Sequence, residues 1–352
     1  MHRVTKLVAV AATAVLALAA CGGSSSGGNT ASSSATAAKS SVKVGLAYDV
    51  GGRGDKSFND SAAKGLDKAV AELGVTKKEL EATQGESDSQ KEERLRLLAQ
   101  GGYDPIIAVG FAYAGPLKKV AAEFPKLHFA IIDDNSFTAA NVANLTFAEN
   151  EGSFLVGAIA AQASKSGTIG YIGGVNVPLL QKFQAGFVAG AKAVNPNVKV
   201  LSKYLTEPPD FSGFSDPAKG KTAAQGQLDA GADVIYAAAG GSGSGAFEAV
   251  AAKGKGYWAI GVDSDQYQTA AANVKEFVLT SMLKRVDVAV YTEVKAAVDG
   301  SALTGAHVFD LKVDGVGYST SNSAVSAYTA KADAFKQQII SGSVTAPATP
   351  SK

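Results

Sequence analysis

From residue 42 onward, short apolar runs rich in β-branched residues alternate with longer amphipathic segments. The run VKVGLAY is followed by helical patterns over 61–72 and 89–100, and then by the run PIIAVG. A helical pattern over 116–123, the run HFAIID at 128–133 and the extended stretch NLTFAEN come next. Strands that alternate with helices in this way predict parallel sheets covered by helices on both faces. The predicted fold class is therefore α/β.

The same rhythm begins again at about residue 151. A helix over 151–163 is followed by TIGYIGG, a helix through FQAGFVAGAKAV, VKVLSKYL, a helix after Pro217, VIYAAAGG and YWAIGVDSDQY. The later strand FVLTSM and helix LKRVDVAVYTEVKAAV are too few for a third domain, so we expect them to complete the first two. The repeat predicts two α/β domains. Ligands of such sheets bind beyond the carboxyl ends of the strands, so we expect a site between the domains.

The first twenty residues form a predicted secretory signal peptide. His2, Arg3 and Lys6 precede LVAVAATAVLALAA, an apolar run too short to span a bilayer comfortably. The run ends in LAAC, which resembles the bacterial lipobox and predicts a lipid-modified Cys21 on the outer face of the cell membrane. The alternative is a signal peptide with an incidental thiol. Residues 21–41, rich in Gly, Ser, Ala and Thr after the cysteine, are a predicted flexible linker.

Charge and composition argue against several classes of function. The net charge is +1, with 33 basic and 32 acidic residues, so we expect no nucleic-acid partner. The three histidines are His2, in the signal peptide, His128 and His307, and neither G-x-S-x-G nor H-E-x-x-H occurs. Asp263 and Asp265 lack the spacing of a calcium loop and are a poor metal-ligand set. We therefore expect no catalysis, no cofactor and no metal.

Unusual polar residues cluster at predicted strand ends, in the segments 49–59, 133–134, 240–245 and 263–265. In the first segment, glycines permit positive φ, and Asp49, Phe58 and Asn59 supply a carboxylate, a stacking face and an amide. These groups suit a heterocyclic ligand. The alternative is that Phe58 packs as a hydrophobic staple and that Asn59 or Asp60 caps the helix.

Two short motifs suggest other functions. Residues 53–55 spell the adhesion tripeptide Arg-Gly-Asp, which is a weak signal at this length. The run GGSGSGA at 240–246 fits G-x-G-x-x-G/A, and Asp263 follows about twenty residues later, as in dinucleotide-binding proteins. A glycine-rich strand exit serves equally for any ligand that approaches the backbone.

Basic and aromatic residues near predicted helix starts are further candidates. Lys284 and Arg285 lie in the predicted first turn of a helix, where the dipole disfavours cations unless an acid or a ligand oxygen faces them. A solvated side chain is the ordinary alternative. Phe183 and Phe214 are also near helix starts, and ordinary packing is the favoured interpretation for Phe183.

The segments GDKSFND, FAENEGSFLVGAIAA, FSDPAKG, AAAGGSGSG, GVDSDQY and LTSMLKRVDVA occur in this order. Together, over about 42–300, they resemble the basic membrane protein family, the nucleoside-binding lipoproteins of bacterial ATP-driven importers. The resemblance implies a type I periplasmic-binding-protein fold, in which three crossover strands join two doubly wound parallel-sheet lobes. We expect an N-terminal lobe of residues 42–147 plus 263–292 and a C-terminal lobe of 148–262 plus 293–345.

The resemblance also implies roles for individual residues. Asp49, Asn59 and Asp133 would bind the base edge of a purine nucleoside, and Phe58 and Phe214 would enclose its ring. Asp263, Lys284 and backbone groups of Gly240 or Gly241 would bind the sugar. The implied partner is an ABC permease, and the implied state is a monomer that closes over its ligand. The alternatives are a sugar-binding, regulatory or adhesion lipoprotein of the same fold and, further off, an NAD-dependent oxidoreductase.

Overall fold

A computed structural model describes residues 40–350, which form twelve β-strands and ten α-helices. The strands are β1 (Lys43–Ala47), β2 (Thr76–Leu80), β3 (Ile106–Ala108), β4 (Phe129–Ile132), β5 (Val142–Phe147), β6 (Thr168–Val175), β7 (Lys199–Thr206), β8 (Val234–Ala238), β9 (Trp258–Asp263), β10 (Val278–Lys284), β11 (Gly305–Phe309) and β12 (Val316–Tyr318). The helices are α1 (Phe58–Leu73), α2 (Asp88–Gln100), α3 (Ala114–Glu123), α4 (Glu149–Ala163), α5 (Pro178–Val194), α6 (Pro217–Asp229), α7 (Gly243–Lys253), α8 (Gln266–Thr269), α9 (Val286–Val298) and α10 (Thr329–Ile340). The predicted signal peptide, Cys21 and the linker up to residue 39 lie outside the described residues.

The strands form two six-stranded sheets with the same spatial order. The first sheet runs β2-β1-β3-β4-β5-β11, and all its pairs are parallel. The second runs β7-β6-β8-β9-β10-β12, and only β12 is antiparallel to its neighbour. The predicted α/β class with two parallel-dominated sheets is therefore confirmed.

Apolar residues on both faces of each strand explain the helices on both sides. In β1, Leu46 packs in the cluster that includes Leu66 of α1, while Ala47 packs in the cluster that includes Leu95 of α2. Successive side chains of a strand point to opposite faces, so a continuous apolar run needs cover on both. The strands therefore end at loops that project from the helix-covered sheets, and these loops carry the candidate site.

The predicted lobe boundaries are wrong for two strands. β10 was assigned to the N-terminal lobe but pairs with β9 in the second sheet, and β11 was assigned to the C-terminal lobe but pairs with β5 in the first. The chain crosses between the sheets after β5, after β10 and between β11 and β12. The lobes are thus 42–147 with 286–309, and 149–284 with 316–345. The residues of a single strand do not determine which of two sheets the strand joins.

Glycines set the distance between α4 and α5. A Cβ added at Gly190 would lie 1.9 Å from the carbonyl oxygen of Phe154, and one added at Gly186 would lie 2.1 Å from that of Asn150. The two helix backbones are therefore in direct contact in the second lobe. Within residues 40–350, we find no helix with the length and apolar character needed to cross a membrane.

Candidate ligand-binding cleft

One cavity lies between the strand ends of the two lobes. It contains about 540 Å³ of space free of protein atoms, part of it open to solvent. Nine of the ten residues predicted from the sequence line it: Asp49, Phe58, Asn59, Asp133, Phe183, Phe214, Gly240, Asp263 and Lys284. The tenth, Gly241, borders a neighbouring cavity between the same lobes. The sequence-predicted residues are thus brought together, and their roles toward a ligand stay predictions.

The turn before α1 is held by Asp55 rather than by the caps considered from the sequence. The Asp55 carboxylate accepts hydrogen bonds from the backbone N–H groups of Ser57 (2.8 Å), Asn59 (2.8 Å) and Asp60 (3.1 Å). The first N–H groups of a helix have no partner inside the helix, so this carboxylate satisfies them. The alternative in which Asn59 or Asp60 caps α1 is therefore wrong.

Asn59 and Asp49 are tied to each other within this turn. The Asn59 Oδ1 accepts from the backbone N–H of Asp49 at 3.0 Å, and its Nδ2 donates to Asp55 Oδ2 at 3.0 Å. The Asp49 Oδ1 accepts from the N–H of Val50 at 2.8 Å. Burial raises the pKa of Asp49 to about 7. Asn59, 1% exposed, thus holds the loop in shape. Asp49 lines the cavity, and its Oδ2 has no hydrogen-bond partner among the described residues.

The adhesion tripeptide is built into the same turn. Arg53 pairs with Asp67 at 2.5 Å and with Glu79 at 2.7 Å, and Asp55 caps α1. The two charged side chains of the tripeptide are therefore engaged within the first lobe.

Lys284 lies at the end of β10 and not in the first turn of a helix, because β10 continues through it to pair with Val316 of β12. Its side chain is 2% exposed, and its Nζ lies 2.5 Å from Asp133 Oδ2 and 3.3 Å from Glu149 Oε1. Burial alone would lower the pKa of Lys284, but the carboxylates of Asp133, Glu149 and Asp263 raise it. The lysine is thus a buried cation held by acids rather than a solvated one.

Aromatic rings surround the same ammonium group. Its Nζ lies 5.0 Å from the ring centroid of Phe58, 5.1 Å from that of Phe147 and 5.6 Å from that of Phe183. These distances are in the range of cation–π attraction. Phe183, which is 3% exposed, both packs in the core and borders the cavity.

Asp133 and Asp263 occupy equivalent places in the two sheets. Asp133 follows β4 and Asp263 ends β9, which are the fourth strands of their sheets, and both have left-handed backbones with φ of 70° and 63°. Burial raises the pKa of Asp133 to about 6, against the effect of Lys284, and that of Asp263 to about 7. The Asp133 Oδ1 is buried without a hydrogen-bond partner among the described residues. A ligand donor would satisfy it.

The second lobe contributes the opposite aromatic face. Phe214 lies in a short 3-10 helix over 212–214 and packs against the backbone of Gly174, where an added Cβ would meet its ring at 2.5 Å. At Gly240, with φ of 54°, an added Cβ would lie 3.0 Å from the carbonyl oxygen of Phe214. Phe58 from the first lobe and Phe214 from the second therefore border one cavity.

Several lining residues were missed from the sequence. They are Val50, Asp55, Phe111, Leu179, Leu180, Ala238 and Val262. Phe111 lies three residues after the end of β3, so a search of all strand ends finds it. Asp55 lies within the segment GDKSFND, but only its neighbours Phe58 and Asn59 are singled out from the sequence. Asp265, weighed beside Asp263, accepts a hydrogen bond from Ser321 and does not line the cavity.

The lining chemistry favours an uncharged, flat ligand rich in hydrogen-bond donors. Four carboxylates line the cavity, those of Asp49, Asp55, Asp133 and Asp263, against the single ammonium group of Lys284. An anion would face net repulsion there. Aromatic rings on walls from both lobes suit the faces of a planar ring.

Comparisons with known proteins identify the family of the chain. Residues 42–350 match the family model described as ABC transporter substrate-binding protein PnrA-like. The nucleoside-binding protein BmpA of Lactococcus lactis is 34% identical over 323 residues, which cover 88% of this chain and 90% of that protein. A lipoprotein of Pyrococcus abyssi is 38% identical over 294 residues, covering 80% and 70%.

A solved structure shows the same architecture. The crystal structure of an ABC transporter solute-binding protein from Aeropyrum pernix superposes with a TM-score of 0.76 at 32% identity, over 87% of this chain and 94% of that one. The matched family consists of solute-binding proteins rather than enzymes. The chain belongs to the Bmp family of PnrA-like ABC transporter substrate-binding proteins.

Proposed function

We propose that this substrate-binding protein captures a purine nucleoside in the cleft between its lobes and delivers it to the permease of an ABC importer. The observation that carries the proposal is the shared cavity, in which Phe58 of the first lobe meets Phe214 and Asp263 of the second. Only closure of the lobes brings these three groups to one ligand. The nucleoside-binding name of the Lactococcus lactis relative supports the same ligand class.

In this proposal the base stacks between Phe58 and Phe214. Asp49 and the free oxygen of Asp133 accept hydrogen bonds from the base edge. Asn59 holds Asp49 in place, and its Oδ1 can accept a second hydrogen bond from the base. Stacking contributes ~1–3 kcal/mol per ring, and a hydrogen bond to a charged group ~1.5–3 kcal/mol. Micromolar affinity requires about 8 kcal/mol net, so these groups together suffice.

The sugar lies against the second lobe in this proposal. Asp263 accepts a hydrogen bond from a ribose hydroxyl, Lys284 donates to a sugar oxygen, and backbone groups of Gly240 or Gly241 complete the contact. The protein acts as a monomer, anchored by lipid on Cys21 to the outer face of the cell membrane. A lipoprotein among its relatives supports the anchor.

Calorimetry with nucleosides, free bases, pentoses and hexoses tests the ligand class. We expect purine nucleosides to bind most tightly. Asp263→Asn should weaken nucleosides by about 10- to 100-fold, the loss of one charge-assisted hydrogen bond, and free bases by less than about threefold. Asp265→Asn is the matched control, because it removes a carboxylate two residues away that does not line the cavity.

Two results would contradict the proposal. If only hexoses or pentoses bound, Phe58 and Phe214 would not stack on a base, and the sugar-binding alternative would be favoured. If Asp263→Asn and Asp265→Asn lost equal nucleoside affinity, the proposed contact of Asp263 with the sugar would be wrong. A surface regulator of the same fold would bind no nucleoside, and its deletion would leave nucleoside uptake by the cell unchanged.

A further inference from the structure

The turn before α1 makes hydrogen bonds directly to the other lobe. The Ser57 Oγ donates to Asp263 Oδ2 at 2.5 Å and lies 3.3 Å from the carbonyl oxygen of Val262. In return, the Ser264 Oγ donates to the carbonyl oxygen of Ser57 at 2.8 Å, and the Gln266 Nε2 donates to that of Lys56 at 3.1 Å. We call these contacts between 56–57 and 262–266 the latch.

The centre of the latch is buried, and hydrogen bonds within each lobe hold its groups in place. Ser57 is 0% exposed and Gln266 is 3% exposed, so water competes little for their hydrogen bonds. On the first lobe, Asp55 holds the backbone N–H of Ser57. On the second, the Gln266 Oε1 accepts from the N–H of Val262 at 2.9 Å, and the Gln266 N–H donates to Ser281 Oγ at 3.0 Å. Groups fixed in advance lose little freedom when they pair.

The latch also determines which oxygen of Asp263 is free. Ser57 occupies Oδ2, and Oδ1 has no hydrogen-bond partner among the described residues, while the residue lines the cavity. Ser57 and Asp263 belong to different lobes, so this arrangement exists only when the lobes are together. When the lobes part, the Asp263 carboxylate loses its partner and is free to turn.

We propose that Ser57 is a positioning residue that closes the lobes through the latch and presents Asp263 Oδ1 to the ligand. The inference rests on the proposed closure of the lobes over a ligand. Two consequences follow. The protein without ligand populates the closed form, because the latch needs no ligand. The latch is absent from the open form, so its loss accelerates ligand release more than it slows capture.

The first test measures the lobe distance without ligand. The full chain carries Cys21→Ser, with spin labels at Lys118→Cys in α3 and Gln225→Cys in α6, one exposed position on each lobe. Ser57→Ala and, independently, Ser264→Ala should reduce the closed population at least about fivefold. Ser61→Ala is the matched control, since Ser61 Oγ accepts from the N–H of Asp287 within the first lobe.

The second test measures ligand kinetics on the same variants by stopped flow with a purine nucleoside. Ser57→Ala should raise the dissociation rate about tenfold and change the association rate less than about twofold. The latch is refuted if Ser57→Ala and Ser264→Ala match Ser61→Ala in both distance and dissociation rate. If no nucleoside binds, the proposed function fails, while the distance measurement still decides the latch.

Discussion

At the scale of single residues, Lys284 connects the chemistry of the cleft with the stability of the fold. Its ammonium group reaches across from the second lobe to Asp133 of the first, and Glu149 lies beside both. Each of these side chains is at most 3% exposed. A buried pair adds little net stability, but removing one partner leaves the other charge uncompensated.

Replacing Lys284 by Met should therefore be costly. We expect the free energy of unfolding to fall by about 3–5 kcal/mol, the usual cost of breaking a buried pair. Adding Asp133→Asn should recover part of this free energy, because it removes the carboxylate that Lys284→Met leaves without a partner. Urea denaturation of both single variants and the double variant measures this coupling. Strictly additive effects would show that the pair is not coupled, and Lys118→Met on exposed α3 is the control.

A second buried charge, Glu293 of α9, should make stability depend on pH. It is 0% exposed, and burial raises its pKa from 4.5 to about 7, against the opposing effect of the nearby Leu303 backbone N–H. A raised pKa means that the unfolded chain releases this proton more readily. The stabilisation is therefore complete below about pH 4.5 and is lost as the pH rises through about 7.

We expect Glu293→Gln to remove this dependence. The wild type should lose about 3 kcal/mol more than the variant between pH 4.5 and 8, at 1.36 kcal/mol per unit of pKa. Denaturant unfolding across this pH range measures the difference. The control is Glu93→Gln, on the exposed face of α2. Its free energy of unfolding should change with pH as that of the wild type does. A variant that loses as much stability as the wild type would show that Glu293 is solvated or paired.

At the scale of elements, glycines decide how closely helices pack. α4 and α5 touch through Gly157, Gly186 and Gly190, where an added Cβ would lie about 2 Å from a backbone oxygen of the facing helix. The end of a side chain can rotate away from such a contact, but the backbone of a helix cannot. The helices must separate to admit even one methyl group, and the core between them then loses contacts.

Gly190→Ala should therefore destabilise the protein by about 1–3 kcal/mol or more, despite the better helix propensity of alanine. Gly226→Ala in α6 is the matched control, because an added Cβ there meets nothing within 4 Å. We expect this control to be stabilised by about 0.5–1 kcal/mol. Thermal unfolding of the two variants compares them directly, and the same sign for both would contradict the close-packing argument.

Long amphipathic helices and buried strands could be predicted from the sequence, but weaker elements could not. α2 and β4 lie within a residue or two of their predicted bounds. β2, with the sequence TKKEL, is not predicted, because an edge strand needs no apolar run. The end of β10 was misread as a helix start, since only its pairing with β9 and β12 carries the strand through Lys284. Pairing partners are distant in sequence and leave no local signal.

At the scale of the whole molecule, the cleft could be predicted because parallel strands bring their carboxyl ends to one edge. Asp49, Asp133, Gly240 and Asp263 all follow this rule. Lys284 also ends a parallel strand, but the sequence pattern ends that strand before it. The latch could not be predicted in the same way. It depends on how one lobe meets the other, which no single strand or helix records.

A ligand held by both lobes should stabilise both together. At a nucleoside concentration of 100 times Kd, the free energy of unfolding should rise by about 2.7 kcal/mol. Calorimetric melting should then show one transition at higher temperature, and Asp263→Asn should reduce the gain to about 0.4–1.4 kcal/mol at the same concentration. A ligand that raised the melting temperature of only one of two separate transitions would indicate a site confined to a single lobe.

The order of the strands along the chain bears on how the protein is made. The first sheet lacks its edge strand β11 until residue 309 has been synthesised, and the second sheet lacks its edge strand β12 until residue 318. The two lobes are thus interleaved along the chain, and no continuous fragment contains either lobe alone. One flank of β5 stays bare while most of the second lobe is synthesised. Both sheets then receive their last edge strands within residues 305–318, so neither lobe is complete much before the other.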